Sequence, residues 1–256
     1  MAQENEKEIV QLKNRFHDLA EKSFRQGIYT FTGFLGLGEQ DVFWREEPTL
    51  RYAGYTLEGG RKDADRVLIR FGSEEEMGYE QPFPIVCVHI SPLMSKFADT
   101  LSHRDFLGAL MNLGIERSTV GDILVGDKEA YIFCLDTIAP FICEQLVQVK
   151  HTHVKCEVTE QIEEIPEEEP EILNIQVQSL RVDACLAKVY NMSREKSLEL
   201  FRSGKVYVNG RLCENNSRVL KSGETVNARG YGKFKMDKEP SVTKKGKLSV
   251  EVEGYR

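Results

Sequence analysis

An acidic run broken by prolines divides this chain. From Glu157 to Glu171, with VTEQIEEIPEEEP at its heart, carboxylates crowd together while Pro166 and Pro170 interrupt them. A proline lacks the amide hydrogen that a helix needs, and its ring collides with the preceding turn. Like charges at this density also repel one another, so the stretch is read as a linker over residues 159–176. Each side must then bury a core of its own. The two sides differ in charge: residues 179–256 hold 17 Lys and Arg against 9 Asp and Glu, a net +8. The whole chain of 256 residues carries −7, which leaves −15 for residues 1–178. A chain with one acidic and one basic part points to a polyanion met by the basic part. A lysine-rich solvated surface satisfies the same composition, so placement of the charges has to decide.

In front of the linker the pattern is mixed α/β. Residues 1–80 open with a helix carrying Ile9, Leu12, Phe16 and Leu19 and close with a hairpin or small mixed unit around Tyr52 to Phe71. They are either a separate lobe or an extension of the middle domain. That domain, residues 81–158, reads as strand, helix, two strands, helix, strand. Ile85 to Ile90 is a β-rich run flanked by prolines. Ser102 starts a helix with Asp105 three residues on as a short-armed capping box, and Gly114 stands near its end. Gly126-Asp127-Lys128 joins two apolar strands as a hairpin. This order is the ferredoxin-like, RRM-like βαββαβ arrangement.

Strings that suggest catalysis fail when their mechanism is demanded. His103-Arg104-Asp105 imitates a kinase catalytic loop, but Leu110 stands where the asparagine is required. Gly33, Gly36 and Gly38 have neither dinucleotide-binding order nor a phosphate-loop lysine, and read as a flexible turn. His151 and His153 lack a third ligand, and the six cysteines form no metal-spaced pair. No catalytic residue, metal or cofactor is expected. Apolar runs stay short of the about 18 residues that span a bilayer, and the charged N-terminus is unlike a secretory signal, so a cytoplasmic protein with reduced thiols and no membrane span is expected. Glu58 to Asp65 is the one front-half string with phosphate chemistry. Its paired glycines would let Arg61 and Lys62 approach an anion, although a hairpin turn with solvated charges explains it equally well. Arg104 and Arg117 are further candidates for secondary RNA contacts.

Behind the linker, residues 177–256, spacing and charge agree. Val182, Cys185, Leu186 and Val189 make Arg181 to Tyr190 an amphipathic helix. Ser193 is a good N-cap for a second helix, which Gly204 ends. Asn209-Gly210 turns the strand from Lys205 back on itself. Arg194 and Lys196 stand in the first turn of the second helix, where the helix dipole disfavours cations by some tenths of a kcal/mol each. A bound phosphate would reverse that preference. Arg202, Lys205 and Arg211 continue the basic run.

Arg181-Val-Asp183, Leu186, Ser193-Arg194, Gly204-Lys-Val206, Val208-Asn209-Gly210 and Gly223-Glu224-x-Val226 resemble the S-four-type RNA-binding domain. Tyr55 to Ala64 and Ser102 to Gly114 resemble the YlmH family of bacterial proteins, encoded near cell-division genes. The resemblance implies an αα-hairpin plus β module that grips irregular RNA through Arg181, Ser193, Arg194, Lys196, Arg202, Lys205, Asn209 and Arg211. It further implies association with the large ribosomal subunit and peptidyl-tRNA during rescue of stalled translation. The third strand of the middle domain, Ala130 to Leu135, departs from the aromatic-rich pattern of RNA-recognition sheets, which argues against base stacking there. The expectation is an α+β, non-enzymatic factor that docks on structured rRNA or tRNA, while its acidic front half positions it or binds a protein partner. The rival expectations are an RNA-modification enzyme or its accessory, and a cell-division-linked interaction factor.

Overall fold

Apolar residues at helical spacing hold the first helix against its neighbours. In the computed structural model, which describes residues 2–159, 170–243 and 246–255, α1 (Ala2–Gln26) buries Phe16 and Ala20 completely. After β1 (Thr30–Phe31), α2 (Leu37–Leu50) brings Phe43 edge-on to Phe16, Tyr55 and Phe71. Such aromatic contacts add about 0.5–1.5 kcal/mol each to the burial itself. β2 (Tyr55–Glu58) and β3 (Leu68–Phe71) form the expected hairpin, with β1 on the other edge of β3. A short α3 (Glu74–Met77) follows. The Gly33 to Gly38 string is not a flexible turn. Gly36 caps α2, its amide donating to Glu39 Oε2 at 2.7 Å, and Gly38 lies in the helix. At Gly33, a Cβ would stand 2.8 Å from the Ser118 carbonyl oxygen, so the glycine permits a close approach between two backbones.

The middle stretch forms a five-stranded antiparallel sheet. Its elements are β4 (Ile85–Pro92), α4 (His103–Asn112), β5 (Val120–Val125), β6 (Ala130–Leu135), α5 (Ala139–Gln145), β7 (Gln148–Val149) and β8 (Thr152–Thr159). The strand order is β5-β6-β4-β8-β7. Phe106 and Leu110 of α4 share one core with Ile142 of α5 and with Val88, Ile90 and Ile132 of the sheet. Both helices therefore cover the same face. On the other face Cys87, Tyr131 and Phe133 form a second buried cluster.

Residues 1–166 make up a single unit, and polar clasps hold its N-terminal part to the middle sheet. Arg66 donates to the carbonyls of Phe34, Arg117 and Val120 at 2.8, 3.0 and 3.0 Å. The buried Asp122 carboxylate accepts from the amides of Asp65 and Arg66 at 2.9 and 3.0 Å. Gly60, at φ +85°, lies so close to the sheet that a Cβ would fall 2.5 Å from the Phe133 ring.

Residues 167–256 form the second unit. Its elements are β9 (Glu171–Val177), α6 (Val182–Val189), α7 (Arg194–Arg202), β10 (Val206–Val208), β11 (Arg211–Leu212), β12 (Glu224–Ala228), β13 (Gly232–Met236), β14 (Ser241–Val242) and β15 (Leu248–Tyr255). The sheet runs β11-β10-β12-β13-β15-β14, and β9 pairs with β15 from Glu171 to Val177. This corrects the linker boundary. Residues 171–176, read as linker, belong to a strand that buries Ile175 and Val177, and Glu157 to Thr159 already belong to β8. The rest of the expected linker, 160–169, lies outside the described residues. Helices α6 and α7 pack on one face of this sheet, where Val182, Leu186, Leu200, Val206, Val226, Phe234 and Val252 share the core.

Candidate nucleic-acid interface

Two short helices set the first part of the site through one buried carboxylate. Asp183 lies in the first turn of α6 with its side chain almost wholly excluded from water. Its oxygens accept from Arg181 at 2.9 and 2.7 Å and from Asn216 Nδ2 at 3.0 Å, and Arg194 approaches to 3.9 Å. Burial pushes this carboxyl up, but the Arg181 and Asn216 hydrogen bonds outweigh it and hold the group below its ordinary value. The Asp183 carbonyl also accepts from the buried Ser197 Oγ at 3.0 Å, which ties α6 to α7. Thus Arg181, at half-burial, orients the helix pair, and Arg194 stands beside it with a far more exposed side chain.

The start of α7 follows the sequence expectation. Ser193 Oγ accepts from the Lys196 amide at 3.2 Å, and Ser193, Arg194 and Lys196 are all exposed. Ser197, Leu200 and Phe201 face the core, so Arg194 and Lys196 flank the buried stripe on opposite sides. Lys196 Nζ lies 5.6 Å above the Tyr231 ring, in the turn between β12 and β13. In that turn the Arg229 amide donates to the Lys205 carbonyl at 2.9 Å, and the Arg229 guanidinium lies 5.6 Å from the Tyr207 ring. Lys205 and Arg229 are both exposed. Arg229 and Tyr231 were missed by sequence reasoning. The signal available was the string Arg229-Gly230-Tyr231-Gly232, a basic and aromatic turn, but nothing local says that it folds beside α7.

Other expected residues sit differently. Arg202 is exposed at the far end of α7, on the outward face that Glu195 and Glu199 occupy at spacings of seven and three residues. Asn209, at φ 52°, uses its side chain to hold the hairpin, with Oδ1 accepting from the Thr225 amide at 2.9 Å. Arg211 is exposed opposite Val208 in the adjoining strand pair.

In the first unit the candidate cations are dispersed. Arg61 is mostly buried and turns toward Asp122, 3.5 Å away, whereas Lys62 is exposed. Arg104 is exposed on α4. Arg117 points inward, donating to the carbonyls of Val120 and Gly121 at 2.5 and 3.2 Å, and burial with the neighbouring Arg66 lowers its pKa to about 10. The aromatic side chains of the sheet are enclosed. Phe133 is 1% exposed, and Tyr131, itself buried, stacks on His89 at 4.6 Å. Among the described residues no group of three His, Cys, Asp or Glu side chains is placed to hold a metal. No helix among them is long and apolar enough to cross a membrane.

Residues 79–163 match the family model described as "Putative RNA-binding domain in YlmH". A protein of Bacillus subtilis (strain 168), "Ribosome-associated protein quality control protein P2", is 30% identical over 204 residues, which span 78% of this chain and 77% of that one. The chain belongs to the YlmH family. Among solved structures, "Cell division protein ylmH from Streptococcus pneumoniae" aligns with a TM-score of 0.48 at 19% identity, covering 62% of this chain and 95% of its own. In this YlmH-family chain the matched segment runs from the approach to β4 to just beyond β8, so it contains the five-stranded sheet and not the basic cluster of the second unit.

Proposed function

We propose that this YlmH-family chain is a non-enzymatic, cytoplasmic RNA-binding factor of the large ribosomal subunit, acting in quality control of stalled translation. Exposed Arg194 and Lys196 in the first turn of α7 carry the reading, because they stand where a helix dipole alone would disfavour cations. A phosphate there gains helix amides together with an ammonium or a guanidinium group. The relative's name and the family description support the choice of ribosome and RNA as partners. The βαββαβ order of the middle sheet supports a ferredoxin-like, RRM-like domain, and α6, α7 and the β10–β11 hairpin support an S-four-type module.

Both domains then meet structured rRNA or tRNA chiefly through backbone phosphates, and affinity falls steeply with salt. The enclosed aromatics of the middle sheet leave exposed Lys62 and Arg104 as the secondary contacts of the first unit, whereas Arg61 turns to Asp122 and Arg117 to the Val120 and Gly121 carbonyls. Replacing Arg194 and Lys196 by Glu weakens RNA binding, and the slope of log affinity against log salt becomes shallower by about two. A filter-binding titration at several salt concentrations measures both. Unchanged affinity in the folded variant rejects the assignment.

A further inference from the structure

Tyr231 stands at the edge of the second unit's core, in the turn between β12 and β13. Its ring packs on Tyr190, with centroids 5.6 Å apart, and it stays half-buried at the edge of the core. The exposed side lies under the Lys196 ammonium, 5.6 Å from the ring centroid. Gly230, at φ +86°, makes the turn that presents the ring, and the Tyr231 amide is fixed to the Ala228 carbonyl at 2.9 Å. Arg229 and Lys205 meet at the same turn through a backbone hydrogen bond, while Arg194 lies two residues before Lys196. The aromatic face thus carries the Lys196 ammonium, while the Arg229 guanidinium turns to the Tyr207 ring instead.

We infer that this surface receives an unpaired base, which stacks on Tyr231 while the Lys196 ammonium takes a phosphate beside it. The inference rests on the RNA-binding reading above and narrows it to RNA with an extruded or looped nucleotide. Lys196 is exposed on a flexible stem, so its ammonium can leave the ring for a phosphate when a base arrives. A continuous paired stem keeps its base faces stacked inside and offers this ring nothing, whereas a bulge presents a free π-face.

The full chain is titrated with two fluorescently labelled stem RNAs, identical except that one carries a single bulged purine. Stacking of one base predicts about five- to hundredfold tighter binding of the bulged stem. Tyr231→Phe retains the preference. Tyr231→Leu binds the bulged stem no better than the paired one, and its unchanged affinity for the paired stem shows that the fold survives. A third variant, Tyr231→Trp, reports directly, its indole fluorescence being quenched by the bulged stem and not by the paired one. A wild-type chain without preference, a preference kept by Tyr231→Leu, or a Tyr231→Trp signal blind to the bulge overturns the inference. Exchanging Arg194 and Lys196 for Glu should weaken both RNAs together. If that variant weakens neither, the assignment of RNA binding to this basic surface fails, whatever Tyr231 does.

Discussion

Asp183 is excluded from water yet charged, and such a group is tolerated only when its oxygens are satisfied. Arg181 and Asn216 satisfy them, and Arg194 stands just beyond hydrogen-bond reach. Hydrogen bonds to a charged group are worth about 1.5–3 kcal/mol, so Asp183→Ala should cost the second unit about 2 kcal/mol in urea unfolding. Asp105 does comparable work at the start of α4, where the Lys150 ammonium and the Ser102 hydroxyl and amide hold its carboxyl at about 2. Its folded value lies below its ordinary one, so the stabilisation is present above about pH 4 and disappears as pH falls toward 2. The midpoint of thermal unfolding should therefore drop more between pH 5 and pH 2 in the native chain than in Asp105→Asn, and equal drops would refute this. The Ser102 to Asp105 box was legible because its partners are three residues apart. The hold of Asn209 on Thr225 was not, because the turn that unites them spans sixteen residues.

Helices and hairpins with local signals were readable as elements: α6 from its apolar spacing, the α7 cap from Ser193, and the β10–β11 turn from Asn209-Gly210. Strand β9 was hidden. Its partner β15 lies some seventy residues onward, and the acidic prelude around Pro170 makes Glu171 look like continued linker. Only the alternation of Leu173, Ile175 and Val177 hinted at a strand. Buried Ile175 and Val177 show that the second unit needs this strand for its core. Ile175→Asp places an unpaired carboxylate in that core and should lower stability by about 3 kcal/mol or more, measured by chemical unfolding of the second unit. A change under about 0.5 kcal/mol would mean that β9 is dispensable. Helix α2 escaped notice for a different reason: glycines at its start and Pro48 in its last turn resemble loop chemistry, and packing of Phe43 and Leu50 overrides them.

Over the whole molecule the division of charge, −15 before residue 179 and +8 after it, is the feature that sequence and structure share most directly. Sequence placed four cations of the basic run from Arg194 to Lys205. The fold brings Tyr231 beside Lys196 and the Arg229 backbone beside Lys205, and carries Arg202 to the far end of α7, because helix phase and a distant turn decide which residues meet. If this basic edge docks on the large ribosomal subunit, attachment depends on phosphate neutralisation and therefore on salt. The decisive measurement is sucrose-gradient sedimentation of the tagged chain from lysate, at low and high salt and beside the Arg194→Glu, Lys196→Glu variant. The native chain should travel with large subunits at low salt, and high salt or the double substitution should return it to the top. A native chain that stays at the top at low salt, or a variant that still travels with the subunit, would contradict docking through this basic edge.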